Sequence, residues 1–258
     1  MPSLFDPLVD FYDAARPEYP DAHFAALAAL TRPLGGARVV EVGAGTGIAT
    51  RAMRRRGAVV LPLDHGPAML RRLQERGAEF PTAVQADAHR LPVRAGWADL
   101  VCYAQAWHWT DPERACAEAG RVLNPGGALA VWWNLVQSDD VDWLERQLAR
   151  IRAANPAWDG DANHRRGWAA EFASFGWTVQ TAATPWVREL LLEDYLVWMR
   201  SKSYVAAIGA IEPAPLEEFI AAERASLLEK FPDGRIVEPF VTELYVVRPP
   251  APGKVGRD

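Results

Sequence analysis

The sequence predicts an α/β fold: a mostly parallel sheet with helices on both faces. Three observations carry this. Val39, Val40 and Val42 form a β-branched run that ends in a turn with glycines at alternate positions, Gly43, Gly45 and Gly47. Further strand-like runs alternate with helix-like stretches at regular spacing. Acidic residues, Asp64 and Asp87, fall at the ends of the second and third of those runs. β-Branched residues suit a strand covered on both faces. Strands alternating with helices imply βαβ units and a parallel sheet, and right-handed crossovers restrict its topology. In such sheets the ligand sits beyond the carboxyl ends of the strands, where the strand order reverses.

The glycine turn narrows the ligand. Glycine lets the backbone turn sharply and leaves no Cβ between it and a ligand. A helix from about Ile48 to Arg56 follows and points its unpaired N–H groups at the same spot. A dinucleotide fingerprint needs its third glycine three positions after the second, where Ile48 stands. A phosphate loop needs Lys and Ser or Thr after its last glycine, where Ile48 and Ala49 stand. Glu41, two residues before the first glycine, suits a cationic amino group and would repel a pyrophosphate.

The elements follow in order. Residues 1–36 precede the core: an apolar stripe from Phe5 to Tyr12, a proline-framed stretch from Ala15 to Pro20, and a helix opened by Asp21 as N-cap and running to Leu30. Val59–Leu63 is a second strand ending at Asp64, with the helix His65–Arg76 after it. Asp64 either accepts bonds from ribose hydroxyls or caps that helix. Ala83–Ala86 is a third strand, followed by the acid–small pair Asp87-Ala88. Trp97–Ala104 is a fourth, leading into Gln105-Ala106-Trp107-His108-Trp109. The helix Pro112–Leu123 has Asp111 as its N-cap and stops at the turn glycines Gly126 and Gly127. Ala128–Asn134 is a fifth strand. Then come an amphipathic helix (Val141–Arg152), a polar loop (Asn155–Arg166), a short helix (Trp168–Phe175), and strand-like segments at Trp177–Thr181 and Val187–Leu191. Helices Glu193–Tyr204 and Pro215–Lys230 precede a last strand, Glu243–Val247. Residues 249–258 read as a disordered tail.

The run E-V-G-A-G-T-G resembles the first motif of class I S-adenosylmethionine-dependent methyltransferases. Y-D-x-x-R-P-x-Y-P near the N-terminus and H-W-x-D…E-x-x-R-V-L-x-P-G-G-x-L downstream are similar to the small-molecule branch of that family, related to trans-aconitate methyltransferase. The resemblance is dense over residues 9–134 and loose beyond. It implies a Rossmann-like seven-stranded sheet in the order 3-2-1-4-5-7-6 with a helical cap. It implies one methyltransferase domain over 1–248, with a lid segment (1–36), a cofactor-binding core (37–134) and an acceptor-side cap with a terminal hairpin (135–248). It implies S-adenosyl-L-methionine as cofactor, held by Tyr12, Arg16, Glu41, Gly43, Ala44, Gly45, Asp64, Asp87, Ala88, Ala104 and Gln105. Tyr12 and Arg16 would lie near the cofactor's methionine carboxylate, and Asp87 would accept from the adenine amine. A surface arginine beside a proline turn is the other reading of Arg16.

Methyl transfer from a sulfonium is an in-line displacement in which the protein supplies position and electrostatics. A hydroxyl, amine or carbon acceptor gains from a base, and a carboxylate acceptor needs none. His108 is the candidate base, or else a loop histidine packed between its tryptophans. Trp107, Trp109 and Trp133 are candidates for the acceptor pocket, with one of Trp132 and Trp133 expected to point into the core. Arg200 would suit an acidic acceptor, or else ends a solvated helix.

Composition sets outer bounds. The chain has 258 residues, half of them hydrophobic, a net charge of −5 and 11 tryptophans. The longest basic run noted is Arg54-Arg55-Arg56, so a nucleic-acid partner is not expected. Cys102 and Cys116 read as buried thiols of a reducing compartment. No apolar run reaches membrane-spanning length and no charged-then-apolar leader is visible, so a cytoplasmic monomer or homodimer is expected. No metal-ligand spacing and no serine nucleophile elbow occur. Two rivals to methyl transfer are a nicotinamide oxidoreductase, which the glycine spacing opposes, and a cofactor-holding protein that transfers no methyl.

Overall fold

The computed structural model describes residues 16–76, 83–158, 167–210, 212 and 214–250. Seven strands form one sheet in the order β3-β2-β1-β4-β5-β7-β6. They are β1 (Arg38–Val42), β2 (Val59–Asp64), β3 (Val84–Gln85), β4 (Ala98–Ala104), β5 (Leu123–Val136), β6 (Thr178–Leu191) and β7 (Arg235–Arg248). β1 to β5 run parallel, and β7 inserts antiparallel between β5 and β6. The expected order therefore holds. Helices α1 (Asp21–Leu30), α2 (Ile48–Arg55), α3 (Pro67–Arg76), α4 (Pro112–Val122), α5 (Asp142–Ala154) and α6 (Trp168–Ser174) connect them. A cap of α7 (Leu192–Ser201), α8 (Ser203–Ala206) and α9 (Ala214–Lys230) separates β6 from β7.

The sheet is buried on both faces. Val40, Val42, Val101, Tyr103, Val131 and Trp133 face one side; Val39, Leu100, Cys102, Ala130 and Trp132 face the other. Both Trp132 and Trp133 are therefore core residues on opposite faces. Asp99 secures the amino ends of the strands. It accepts the Arg38 N–H at 2.7 Å, the Asn124 amide at 2.7 Å and the Arg32 guanidinium at 2.9 Å. Burial pushes its carboxyl up, but these donors and charges outweigh it and hold the group below its ordinary range.

Several elements differ from the sequence expectation, each for a physical reason. Asp21 is the first helical residue of α1 rather than its cap; Pro20 precedes it in extended conformation, and Asp21 pairs with Arg56. β5 begins at Leu123, opposite Ala98, and the register shifts before Leu100 pairs with Ala128. Gly126 (φ 86°) and Gly127 absorb that bulge instead of closing a separate turn. The two segments expected around residue 185 are one strand, β6. Pro185 is tolerated because β6 is the sheet edge and pairs only with β7. Pro239 sits in β7 just past Phe240, the last residue paired with Val136 of β5. The helix expected over Glu193–Tyr204 breaks at Lys202, which is extended. Part of the expected polar loop, the tail from 251 and Tyr12 lie outside the described residues.

The cap encloses a buried polar network. Tyr195 O–H donates to Gln147, Gln147 donates to Glu223 at 3.0 Å, and Arg150 forks onto the same carboxylate. His23 in α1 is fully buried among Tyr19, Phe24 and Trp132. Neither ring nitrogen has a hydrogen-bond partner. Burial, with a contribution from the Arg56 charge, holds the imidazole down to about 3.

That depressed value sets the sign of an acid dependence. Below the unfolded value of 6.5 the unfolded chain binds a proton that the native chain refuses until about 3. Each pH unit in that window should cost about 1.4 kcal/mol of stability. Urea unfolding at stepped pH should show His23→Leu gaining on the wild type by that amount per unit. Parallel profiles for the two proteins would remove His23 as the source.

Candidate active site

The glycine turn joins β1 to α2, and β2 locks it in place. The N–H groups of Gly43 and Ala44 both donate to the Leu63 carbonyl, at 2.8 and 2.9 Å. Asp64 accepts the Gly45 N–H on Oδ2 and the Gly66 N–H on Oδ1, both at 2.7 Å. The amides of Gly43, Ala44, Gly45 and Gly47 are thus consumed within the protein. What the turn presents outward is bare backbone, together with the start of α2, which no side chain caps. Gly43, Gly45 and Gly47 have φ of 73°, 56° and 86°. A Cβ on Gly43 would lie 2.4 Å from the Ala106 Cβ, so this strand-end loop and the one after β4 pack backbone to side chain with no slack.

A cleft of about 420 Å³ opens above this turn. Arg16, Pro17 and Tyr19 line one side, Glu41 to Thr46 without Val42 form the floor, and Ile48, Ala49, Ala104 and Gln105 complete it. Gln105 has φ 59°, uncommon for a residue with a side chain, and its N–H donates to the Trp132 carbonyl. Glu41 is 1% exposed and accepts from the Thr50 hydroxyl. Burial raises its carboxyl to about 8 despite that bond, and Asp64 adds to the rise. It is therefore largely protonated at neutral pH. Burial also raises Asp64, against the backbone donors that lower it.

Of the residues expected at a cofactor, Arg16, Glu41, Gly43, Ala44, Gly45, Ala104 and Gln105 share this cleft. Asp64 stands behind the floor, with both oxygens already bonded. Asp87 lies past β3 and is held below its ordinary range chiefly by the His89 N–H. Ala88 packs against the core beside it. Sequence reasoning missed Thr46, Ile48 and Tyr19 as lining residues, although Tyr19 lies within the proline-framed motif.

The acceptor-side expectations fare differently. Trp107 is fully buried against Tyr103 and Phe172 and anchors the short 3-10 turn Trp107–Trp109; it is a core residue. Trp133 is likewise buried, stacked on Trp168 with centroids 5.4 Å apart. Arg200 is tied to Glu217 through two bonds, at 2.5 and 2.7 Å, which occupies the fork expected for an acidic acceptor. Trp109 is exposed. His108 accepts the Trp133 indole N–H on Nδ1 at 3.2 Å. Because an indole nitrogen only donates, the neutral ring carries its proton on Nε2. In this tautomer Nδ1 is engaged by the indole and Nε2 is a donor, and the ring packs against Trp109. Among the described residues no group of His, Cys, Asp and Glu is placed to hold a metal ion, and no helix is long and apolar enough to cross a membrane.

Residues 40–131 match the family model of the methyltransferase domain. An uncharacterised methyltransferase of Mycobacterium tuberculosis is 34% identical over 206 residues, covering 79% of this chain and 78% of that one. The chain belongs to the class I S-adenosylmethionine-dependent methyltransferases. A methyltransferase-like protein of Schizosaccharomyces pombe is 30% identical over 228 residues, 86% of this chain and 84% of that one. A solved structure described as a type II methyltransferase from Anaeromyxobacter dehalogenans shares the fold, with a TM-score of 0.69 at 22% identity, over 92% of this methyltransferase and 99% of that chain.

The turn geometry separates two glycines by cost. Gly43→Ala meets both a left-handed backbone and the Ala106 contact, and should destabilise by about 3 kcal/mol. Gly45→Ala has no neighbour within 4 Å and should cost about 1 kcal/mol. Adding Ala106→Gly to Gly43→Ala should recover the difference in urea unfolding. An unrecovered double variant would show that the contact is not the cause.

Proposed function

We propose that this methyltransferase transfers a methyl group from S-adenosyl-L-methionine to a small-molecule acceptor through the cleft above the glycine turn. One observation supports this best: a cation, an acid and a glycine-rich floor converge on the carboxyl ends of β1 and β4. The donor set fits the cofactor. Arg16 pairs with its carboxylate, as a guanidinium does bidentately. Glu41 takes its ammonium group. Gly43 and Gly45 admit close approach where a Cβ would intrude. Asp64 fixes the floor through its bonds to Gly45 and Gly66. Asp87, whose Oδ2 makes no bond among the described residues, accepts the adenine amine.

When bound, the cofactor supplies an electrophilic methyl on a sulfonium centre. The protein's part is orientation, which accounts for roughly 7–11 kcal/mol of barrier in well-aligned systems. His108, with its proton on Nε2, orients an acceptor oxygen by donating to it. That favours a nucleophile needing no deprotonation, such as a carboxylate, over an amine that must first lose a proton.

Calorimetric titration with S-adenosylhomocysteine, with NADH as control, tests the donor half. Micromolar binding of the first and none of the second is expected. Because Glu41 is protonated below about pH 8, contact with the ligand ammonium should expel a proton. Affinity should then rise about tenfold per pH unit from about pH 6 to about pH 8. Glu41→Gln should abolish that slope; an unchanged slope would take Glu41 out of the site.

The acceptor half is tested by mass gain of one methyl group across matched pairs of small carboxylates and amines. Methylation confined to the amines would overturn the role given to His108.

A further inference from the structure

His89 lies outside the cleft, between two parts of the site that no backbone hydrogen bond joins directly. Its Nδ1 stands 2.9 Å from Asp87 Oδ1, and its backbone N–H donates to the same oxygen at 2.8 Å. Its Nε2 accepts the Asp111 N–H at 2.9 Å. A backbone N–H only donates, so Nε2 carries no proton and Nδ1–H donates to Asp87. One imidazole plane thus connects the acid after β3 to the first residue before α4. Asp111 is the N-cap of α4, accepting the Arg114 N–H at 3.2 Å. It also follows directly on the turn that carries His108, whose last bonds close through Thr110 onto the Trp107 carbonyl.

The arrangement does two things to Asp87. Both His89 donors go to Oδ1, which leaves Oδ2 as the oxygen turned to a ligand. They also fix the carboxylate of a side chain that is more than half exposed and would otherwise sample several rotamers. A ligand donor meeting Oδ2 therefore pulls on a group braced against α4. Histidine is suited to this because its neutral ring offers one donor and one acceptor at opposite ends of a rigid plane. The His89 side chain is 18% exposed, less than the Asp87 side chain that it braces.

We propose that His89 is a positioning residue for adenine recognition. It presents Asp87 Oδ2 to the exocyclic amine and couples occupancy of the adenine end to the turn bearing His108. This rests on the donor-site reading above, and deepens it by naming what makes the adenine end selective.

The test compares S-adenosylhomocysteine with its deaminated analogue S-inosylhomocysteine, which carries a carbonyl where the amine was. Calorimetry is run on the wild type, His89→Leu, His89→Gln and Asp87→Asn, each checked for native circular dichroism. The wild type should prefer the amine form by at least about tenfold, the size of one hydrogen bond to a charged group. His89→Leu should lose most of that preference. His89→Gln should keep it, because the amide again offers one donor and one acceptor. Asp87→Asn should lose it whatever happens to His89, which keeps the test valid if His89→Leu does not fold. Hydrogen exchange at residues 107–111 should slow on ligand binding in the wild type and not in His89→Leu.

The failures are separable. No binding of S-adenosylhomocysteine by the wild type would overturn the donor-site reading itself. Binding without preference for the amine would remove Asp87 from the adenine end, and the proposal with it. A preference retained in His89→Leu, or lost equally in His89→Gln, would overturn the proposal and leave the donor-site reading standing.

Discussion

The site depends on one constraint: the end of β2 holds the loop after β1. Leu63 and Asp64 between them accept the N–H groups of Gly43, Ala44 and Gly45. A loop of that curvature, with three left-handed residues in five, loses conformational freedom at glycine more than anywhere else. Three inter-strand bonds offset that loss and make the loop rigid without a ligand. The consequence is a change in what the turn is for. Its amides are spent on the protein, so it does not grip an anion as a phosphate loop does. It provides a fixed, flat approach, and recognition passes to the side chains at its rim.

Electrostatics at the rim follow from the same rigidity. Glu41 sits on β1 with its side chain directed to the covered face, beside Cys102 and under Thr50. Burial there raises the acid far enough to keep it neutral at ordinary pH. A neutral acid can be kept in a core without an ion pair, whereas a buried carboxylate could not be kept without one. Asp64 adds to the effect, since two carboxylates at adjacent strand ends oppose each other's charge. Gln105, held at positive φ, lines the same cleft as Glu41, a local cost of the kind found at functional sites.

Much of the donor end was legible in the chain because its determinants are local. Alternate glycines encode positive φ, a β-branched run encodes a covered strand, and an acid after each strand lands on one sheet edge by the period of the fold. Glu41 was read that way; Arg16 came only from the resemblance of the proline-framed segment, and both line the cleft. The acceptor end was not legible, because its determinants are tertiary. Nothing in Gln105 to Trp109 says which tryptophan turns inward. Phe172 on α6 and Tyr103 on β4 decide it for Trp107. Nothing near Arg200 announces Glu217, which arrives from α9 and occupies its fork. The long hairpin was read in fragments for the same reason: Pro185 and Pro239 break the local strand pattern. Each is harmless only where a neighbouring strand is missing, and that is a property of the assembled sheet.

His108 shows what tertiary context adds to chemistry. Taken alone, a histidine after the fourth strand offers base or acid with equal ease. The Trp133 indole removes the choice at Nδ1, since it can only donate. Trp133 is itself fixed by its stack on Trp168 and its edge contact with Tyr245, one from α6 and one from β7. The tautomer of a residue in the first half of the chain is thus set by elements that come much later. The order of the sheet matters here, because only the insertion of β7 beside β5 brings Tyr245 against Trp133. The antiparallel strand that distinguishes this fold from an all-parallel one therefore reaches His108 through the position of a single proton.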